Sequence, residues 1–400
     1  MKPLRIMIIA GEASGDAHAA KLVSALRDEL AARPDVCPDQ PQPLRTALAP
    51  RFFGAGGERM QAAGVELALD LTRHSVIGLS DVLRSYFKFR RLFRQLLRLA
   101  LERQPDVIIG VDYGGFNLRF GRAIRRHAGS TGSFNNWRPK LVQFVSPQVW
   151  ASRAGRAFQL QRDYDLLLSI FPFEKSWYAA RVPRLRVEFV GHPLLDRTPD
   201  ITNATEQPPA SNLLLLLPGS RQGEVKRHLP VMLAAMKQIK AARPQIEVLI
   251  VLPDAGLASL ARSVGSPADV QIQIGNLHGA LSRTAAAIAS TGTVTMECAL
   301  FGVPTVTLYK TSWSTYQVGK RIVTVKSLTM PNLLAGKTVF PEFIQDAATP
   351  ANIAGAALDL LGNAERRGSI QHDLANIVNS LGGPGAMQRA ARAIVSLLGD

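Results

Sequence analysis

Residues 4–16 read LRIMIIAGEASGD, an apolar run that breaks at Gly11 and passes into AHAAKLVSALRDEL over residues 17–30. The run predicts a strand, GEASGD a turn, and the residues after it a helix, because their apolar positions recur at helical spacing. A strand, a glycine-containing turn and a helix open many nucleotide-binding sheets. The Gly-x-Gly-x-x-Gly of a dinucleotide fold is absent here, so the turn has another use. Its glycines let backbone approach a ligand, while Ser14 and Asp16 can cap the following helix through its unpaired N–H groups.

The same alternation recurs outward from this unit. RFFGAGG, DVIIGVDY, KLVQFVS, YDLLLSIF and RVEFVGHP read as further strands with helical stretches between most of them, the pattern of βαβ units and a parallel sheet. Residues 198–212, TPDITNATEQPPASN, change texture and predict a linker. Strand and helix signals then restart with LLLLLPGSR, IEVLIVLP, VQIQIG, AAAIAST and PTVTLYK. The expected architecture is α/β, with two Rossmann-like doubly wound domains facing a cleft, over residues 1–197 and 213–375. A last helix is expected within 376–400, and the sequence pattern leaves its packing partner open.

Four hundred residues, 46% of them apolar, exceed what one core usually fills and favour two domains. The apolar runs fall far short of the roughly 20 residues of a membrane span. The opening residues lack the charged, apolar and small-residue succession of a signal peptide, so a cytoplasmic location is expected. Cys37 and Cys298 stand in different halves and form no metal-ligand pattern. A net charge of +16 calls for anionic partners. The basic residues do not interleave with aromatics as in a nucleic-acid module, so no nucleic acid is expected.

Ligands of open α/β sheets sit beyond the carboxyl ends of the strands, so the loops there carry the chemistry. Asp112 ends the strand DVIIGV and precedes Gly114-Gly115, placed either as a turn residue or as a general base for a hydroxyl nucleophile. After KLVQFV come Ser146, Gln148 and Trp150, the last an aromatic platform or a packed loop side chain. Gly219, Ser220 and Arg221 follow LLLLLP. A glycine turn with a planar guanidinium fork suits a pyrophosphate, although the Gly-Lys-Ser/Thr of a P-loop is missing. Ser290, Thr291, Gly292 and Thr293 lead from a strand into a helix whose free N–H groups favour a diphosphate. Glu297, one turn later, either complements that helix end or accepts from ribose hydroxyls, and Asn332 lies near the same rim. Asp163-x-Asp165 has a metal-binding spacing but precedes its strand, at the wrong end of the sheet, so no metal and no cofactor are expected.

Taken in order, GEASGD, GGERMQAAG, GLSDVL, VDYGGFN, VSPQVWA, PFEKSWY, VGHPLLD, LLPGSRQGEV, STGTVTMECAL and PNLLAG resemble the lipid-A-disaccharide synthase family, inverting glycosyltransferases of the two-Rossmann-domain (GT-B) type. The resemblance covers nearly the whole chain. It implies transfer of 2,3-diacylglucosamine from UDP-2,3-diacylglucosamine to the 6-hydroxyl of 2,3-diacylglucosamine 1-phosphate, giving a β-1,6-linked tetraacyl disaccharide phosphate and UDP. It casts Asp112 as the base, Ser14 and Asp16 as acceptor-side residues, and Arg221, residues 290–293, Glu297 and Asn332 as donor contacts, and it implies that the last helix, within 376–400, packs back on the first domain. Two departures stand out: Gly114-Gly115 where the family often has Pro-Asp, and Ser152 where it usually has Trp.

Acylated substrates require work at a bilayer surface. Leu79, Val82, Tyr86, Phe89, Phe93, Leu96 and Ala100 form one apolar stripe, with Arg84, Lys88, Arg91, Arg94 and Arg98 among the other positions. A basic amphipathic helix of this kind lies in an anionic interface, or packs its stripe on the sheet. The expected partners are the two acylated sugars and anionic phospholipids of the inner membrane, with a homodimer left open. A UDP-sugar epimerase is the nearest enzymatic rival.

Overall fold

The computed structural model describes residues 3–32, 49–71, 82–128, 137–197 and 211–399, with the backbone alone for 82–88. The chain divides into two compact units, 1–197 with 381–400, and 198–380.

In the first unit, strands β1 (Arg5–Ala10), β2 (Arg51–Gly56), β3 (Glu66–Asp70), β4 (Val107–Val111), β5 (Lys140–Phe144), β6 (Leu166–Ser169) and β7 (Val187–Phe189) form one sheet in the order β3-β2-β1-β4-β5-β6-β7. Every pairing is parallel. The central strands are continuous apolar runs because both faces are covered: Ile6, Met7, Ile8, Ile9, Val107 and Ile109 are all buried. The order reverses between β1 and β4, which places the topological switch point, and hence the ligand crevice, beside Gly11 and Asp112.

In the second unit, β8 (Leu213–Leu217), β9 (Glu247–Leu252), β10 (Gln271–Ile274), β11 (Ala286–Ser290), β12 (Thr305–Tyr309) and β13 (Glu342–Ile344) follow the order β10-β9-β8-β11-β12-β13. This sheet is also parallel throughout. Its switch point lies between β8 and β11, so the loops beginning at Pro218 and Thr291 flank it. The doubly wound α/β fold read from the sequence is present in both units. β3 and β13, which the reading missed, are short edge strands of half-exposed residues.

The chain returns to the first unit at Leu381 rather than at 376, because the helix Ala364–Ser380 stays with the second. The final helix, Ala386–Leu397, packs its buried face on the helix Ala13–Ala31. Asp196 holds its start, accepting from the N–H groups of Gly385, Ala386 and Met387 at 2.6, 3.1 and 3.1 Å. A carboxylate at a helix N-terminus satisfies otherwise unpaired donors and complements the helix dipole.

The helix Val82–Arg103 requires a correction to the membrane stripe. Phe93 meets Phe116 and Phe120 edge-on at 5.4 and 5.7 Å, and Phe89 packs on Tyr113 and Phe116 at 6.1 and 5.9 Å. Leu96 and Ala100 are fully buried. From Phe89 onward the stripe therefore faces the core, where aromatic edges and apolar area gain most by leaving water. Arg91 and Arg94 are exposed on the other side. Leu79 and the side chains of Val82, Arg84, Tyr86 and Lys88 lie outside the described residues.

Candidate active site

Asp112 follows directly on β4, at the switch point of the first sheet. Both Asp112 and Tyr113 adopt left-handed backbone conformations, with φ of 50° and 46°. Two consecutive non-glycine residues there are rare and persist only where the surroundings enforce them. The enforcement is visible: the Asp112 carbonyl accepts from Asn117 Nδ2 at 2.8 Å and from Gln143 Nε2 at 2.9 Å, while its N–H donates to the Phe144 carbonyl at 2.8 Å. Gly110 makes room for those amides, since a Cβ at that position would stand 2.8 Å from both Asn117 and Gln143 side-chain atoms.

The opening turn meets this same point. A Cβ on Gly11 would collide with the Tyr113 ring at 2.2 Å, and one on Gly15 would lie 3.7 Å from Asp112 Cβ. GEASGD is therefore the floor against which Asp112 and Tyr113 are set. Burial raises the pKa of the Asp112 carboxyl above its ordinary value, the charge of Glu12 raises it further, and a backbone hydrogen bond from Tyr113 opposes both. Burial and Glu12 also push the Tyr113 phenol up to about 12. The site thus holds a carboxylate of increased proton affinity beside a phenol that stays protonated.

The other expected residues of this unit divide. Ser14 and Gln148 are exposed near the rim. Pro147, before Gln148, approaches so closely that a Cβ on Gly114 would lie 2.6 Å from its ring. Asp16 is buried, and its carboxylate accepts from the N–H groups of Gly57, Arg59 and Met60 at 2.7, 3.1 and 3.2 Å, capping the helix Glu58–Ala62. Three of its roughly four acceptor sites thus serve the fold. Trp150 is buried rather than a platform: its indole N–H donates to Glu174 at 3.0 Å and its ring stands edge-on to Phe173. Gln143 and Asn117 were missed by sequence reading; the signal available was a lone amide inside the apolar strand KLVQF.

In the second unit, Gly219, at φ 124°, turns the chain after β8, and a Cβ there would sit 2.4 Å from the Glu224 carboxylate. That carboxylate accepts from Ser220 N–H at 2.9 Å and from Arg221 at 3.2 Å, at the start of the helix Gln222–Ala242. This carboxylate of the chain itself therefore already takes the Ser220 N–H and part of the Arg221 fork. His228, buried in the same helix, lies 3.0 Å from the Pro218 carbonyl, while its Nε2 accepts from Lys310 N–H at 3.1 Å, tying the loops after β8 and β12 together. Beyond β11, Gly292 and Thr293 are exposed at the start of the helix Thr293–Leu300, with Ser290 buried beneath and Thr291 and Glu297 half-buried. Asn332 is buried, donates to the Phe340 carbonyl and Glu342, and accepts from Val339 and Phe340 N–H, all at 2.8 Å. Those bonds fix residues 339–342 and leave its amide none to offer a ligand.

Asp165 precedes β6 and binds Arg125 and Leu141 N–H, while Asp163 pairs with Arg162. Cys298 is buried and its thiol is pushed up to about 12. No helix of the described residues is long and apolar enough to cross a membrane.

Two parallel doubly wound sheets, with Asp112 at one switch point and Gly219 and Arg221 at the other, give the chain the fold shared by GT-B glycosyltransferases and UDP-sugar epimerases. In fold the chain is similar to the calicheamicin glycosyltransferase CalG4 (TM-score 0.57, 17% identity, 100% of this chain and 99% of that one). It is similar as well to a UDP-GlcNAc 2-epimerase from Neisseria meningitidis solved with UDP-GlcNAc (TM-score 0.58, 13% identity, 100% of both chains). A family model described as lipid-A-disaccharide synthetase matches residues 6–396. Lipid-A-disaccharide synthases of Geobacter sulfurreducens and Myxococcus xanthus are 36% and 35% identical, each over 99% of this chain and 97% and 98% of their own length. The chain belongs to the lipid-A-disaccharide synthase family.

Proposed function

We propose that the protein transfers 2,3-diacylglucosamine from UDP-2,3-diacylglucosamine to the 6-hydroxyl of 2,3-diacylglucosamine 1-phosphate, with inversion and without a metal ion. The observation that carries the chemistry is Asp112: a carboxylate of raised proton affinity, held by its backbone at the first sheet's switch point. It takes the proton of the acceptor 6-hydroxyl as that oxygen attacks the anomeric carbon of the donor. The bond from that carbon to the diphosphate oxygen breaks, UDP carries away the electron pair, and the new linkage is β-1,6. The leaving diphosphate is met by Gly219, Ser220 and Arg221 and by the helix end at Gly292 and Thr293, whose N–H groups and guanidinium stabilise developing negative charge. Because both substrates carry acyl chains, the enzyme works on the cytoplasmic face of the inner membrane, bound to anionic phospholipid through exposed basic residues.

The test is to incubate the protein with both substrates and no added metal, following UDP and disaccharide for wild type and Asp112→Ala. Disaccharide from wild type, with a loss of roughly a hundredfold or more in the variant at retained donor binding, supports substrate and base together. A free epimerised sugar nucleotide in the absence of acceptor would instead show the chemistry of the epimerases that share the fold.

A further inference from the structure

The helix Gly114–Ala128 carries Arg119, Arg122 and Arg126 at spacings of three and four, one face of a helix, in line with Gly115. Together with Arg156, at the start of the helix Arg156–Asp163, they border a concavity of about 390 Å³ whose apolar wall is Phe93 and Leu118. Volumes of a few hundred Å³ are those of small-molecule sites.

Four other arginines of this unit have carboxylate partners: Arg103 pairs with Glu66, Arg162 with Asp163, Arg186 with Glu188, and Arg125, in the very same helix, turns away to Asp165. Among the described residues no carboxylate pairs with Arg119, Arg122, Arg126 or Arg156. Burial pulls the Arg156 guanidinium below its ordinary pKa, and the neighbouring charges of Arg153 and Arg119 pull the same way. Like charges gathered around one hollow repel, and a bound anion removes that cost.

We propose that this pocket is the seat of the acceptor's phosphomonoester, with Arg119, Arg122, Arg126 and Arg156 as its donors and Phe93 and Leu118 beside the acylated sugar. The inference rests on the proposed transfer reaction. Its position favours the acceptor over the donor, since Gly115, on the pocket's wall, is three residues beyond Asp112, and the nucleophile's own substrate must lie beside the base. Guanidinium forks match phosphate oxygens in pairs, so loss of one weakens binding by roughly tenfold or more.

The experiment compares wild type with Arg122→Ala, Arg126→Ala and Arg122→Lys in detergent micelles. It measures calorimetric binding of 2,3-diacylglucosamine 1-phosphate alone, binding of its analogue lacking the phosphate, and steady-state kinetics. Expected are an acceptor Kd and KM raised roughly tenfold or more by either alanine, less by lysine, with donor KM and kcat within about twofold. The dephosphorylated analogue should bind wild type and variants alike. Because no carboxylate of the described residues pairs with these side chains, melting temperatures should hold or rise. Unchanged acceptor binding overturns the proposal, and does so in favour of a membrane headgroup if pelleting with phosphatidylglycerol vesicles falls instead. Arginine-dependent acceptor binding without disaccharide formation would leave the pocket standing and sink the transfer reading; disaccharide formation with arginine-independent binding would do the reverse.

Discussion

The amide of Gln143 donates to the carbonyl oxygen of Asp112 at 2.9 Å, from the strand next to the one that Asp112 ends. The same Nε2 lies 3.2 Å from the Val145 carbonyl, and Val145 is itself left-handed at φ 64°. One buried side chain thus fixes two strained turns on adjacent loops. Gln143→Leu keeps the volume and removes the donors, so Asp112 should lose its orientation while remaining present. We expect kcat to fall about tenfold with both KM values nearly constant, because small misplacements of a catalytic group cost rate more than binding. A fall in melting temperature with kcat unchanged would make Gln143 structural only.

Glu12 adds to the burial that raises the pKa of Asp112, the proposed base. With the pKa raised in this way, the proposed base should be protonated, and idle, over a wider acidic range than an ordinary carboxylate. The acidic limb of kcat/KM should therefore fall off at a pH above 3.8. Neutralising the neighbour in Glu12→Gln removes the like charge and should move that limb to lower pH. A limb that stays in place in the variant, or moves upward, would mean that another group governs it.

Asp16 separates folding from catalysis. Its carboxylate serves Gly57, Arg59 and Met60 N–H, about forty residues away. Asp16→Ala should lower stability by roughly 2 kcal/mol, the scale of a lost charged cap, with kcat/KM little changed below the melting transition. A rise in acceptor KM at unchanged stability would return Asp16 to the acceptor side of the site.

The central strands were legible because burial on both faces leaves apolar runs such as LLLLL, and the glycine turns at their ends marked the rims of both sheets. The edge strands β3 and β13 were not, since half-exposed strands carry no such run. Site residues were legible by position and less so by role. Asp112 shows itself locally, whereas Asp16, Trp150 and Asn332 have partners that only the fold brings near. The stripe from Phe89 to Ala100 illustrates the limit: a core face and a membrane face have the same period, and only the position of Phe116 and Phe120 decides between them.

Membrane binding is expected to be mainly electrostatic, since Arg91, Arg94 and Arg98 are exposed while the part of the apolar stripe from Phe89 to Ala100 is packed on the core. Raising ionic strength from ~0.1 M to ~1 M shortens the Debye length from ~10 Å to ~3 Å. Sedimentation with phosphatidylglycerol vesicles should drop steeply over that range and be weak with neutral vesicles at any salt. Equal pelleting with both would point to insertion of apolar side chains instead.

Glu174 gives a pH signature of the fold itself. It is fully buried, accepts from Trp150 Nε1 at 3.0 Å and from Phe171 N–H at 3.2 Å, and burial pushes its pKa up to about 7 against those bonds. In the unfolded chain the same carboxyl titrates at its ordinary value of 4.5. Between 4.5 and about 7 the folded state therefore holds a proton that the unfolded state has lost, and stability falls as pH rises through this window. Below it both states are protonated and above it both are ionised, so the contribution is flat at either side, with a total change on the order of 3 kcal/mol. Glu174→Gln cannot titrate; its amide accepts from Trp150 but turns N–H groups toward the Phe171 donor, an offset that does not depend on pH. Denaturant melts of wild type and variant at pH 4.5, 5.5, 6.5 and 7.5, pH points chosen to bracket the window, read the difference directly. Wild type should lose stability relative to Glu174→Gln as pH climbs and level off above about 7. A constant difference across the series would show that Glu174 is ionised throughout, held so by the four hydrogen-bond partners Trp150, Phe171, Ser146 and Ile170.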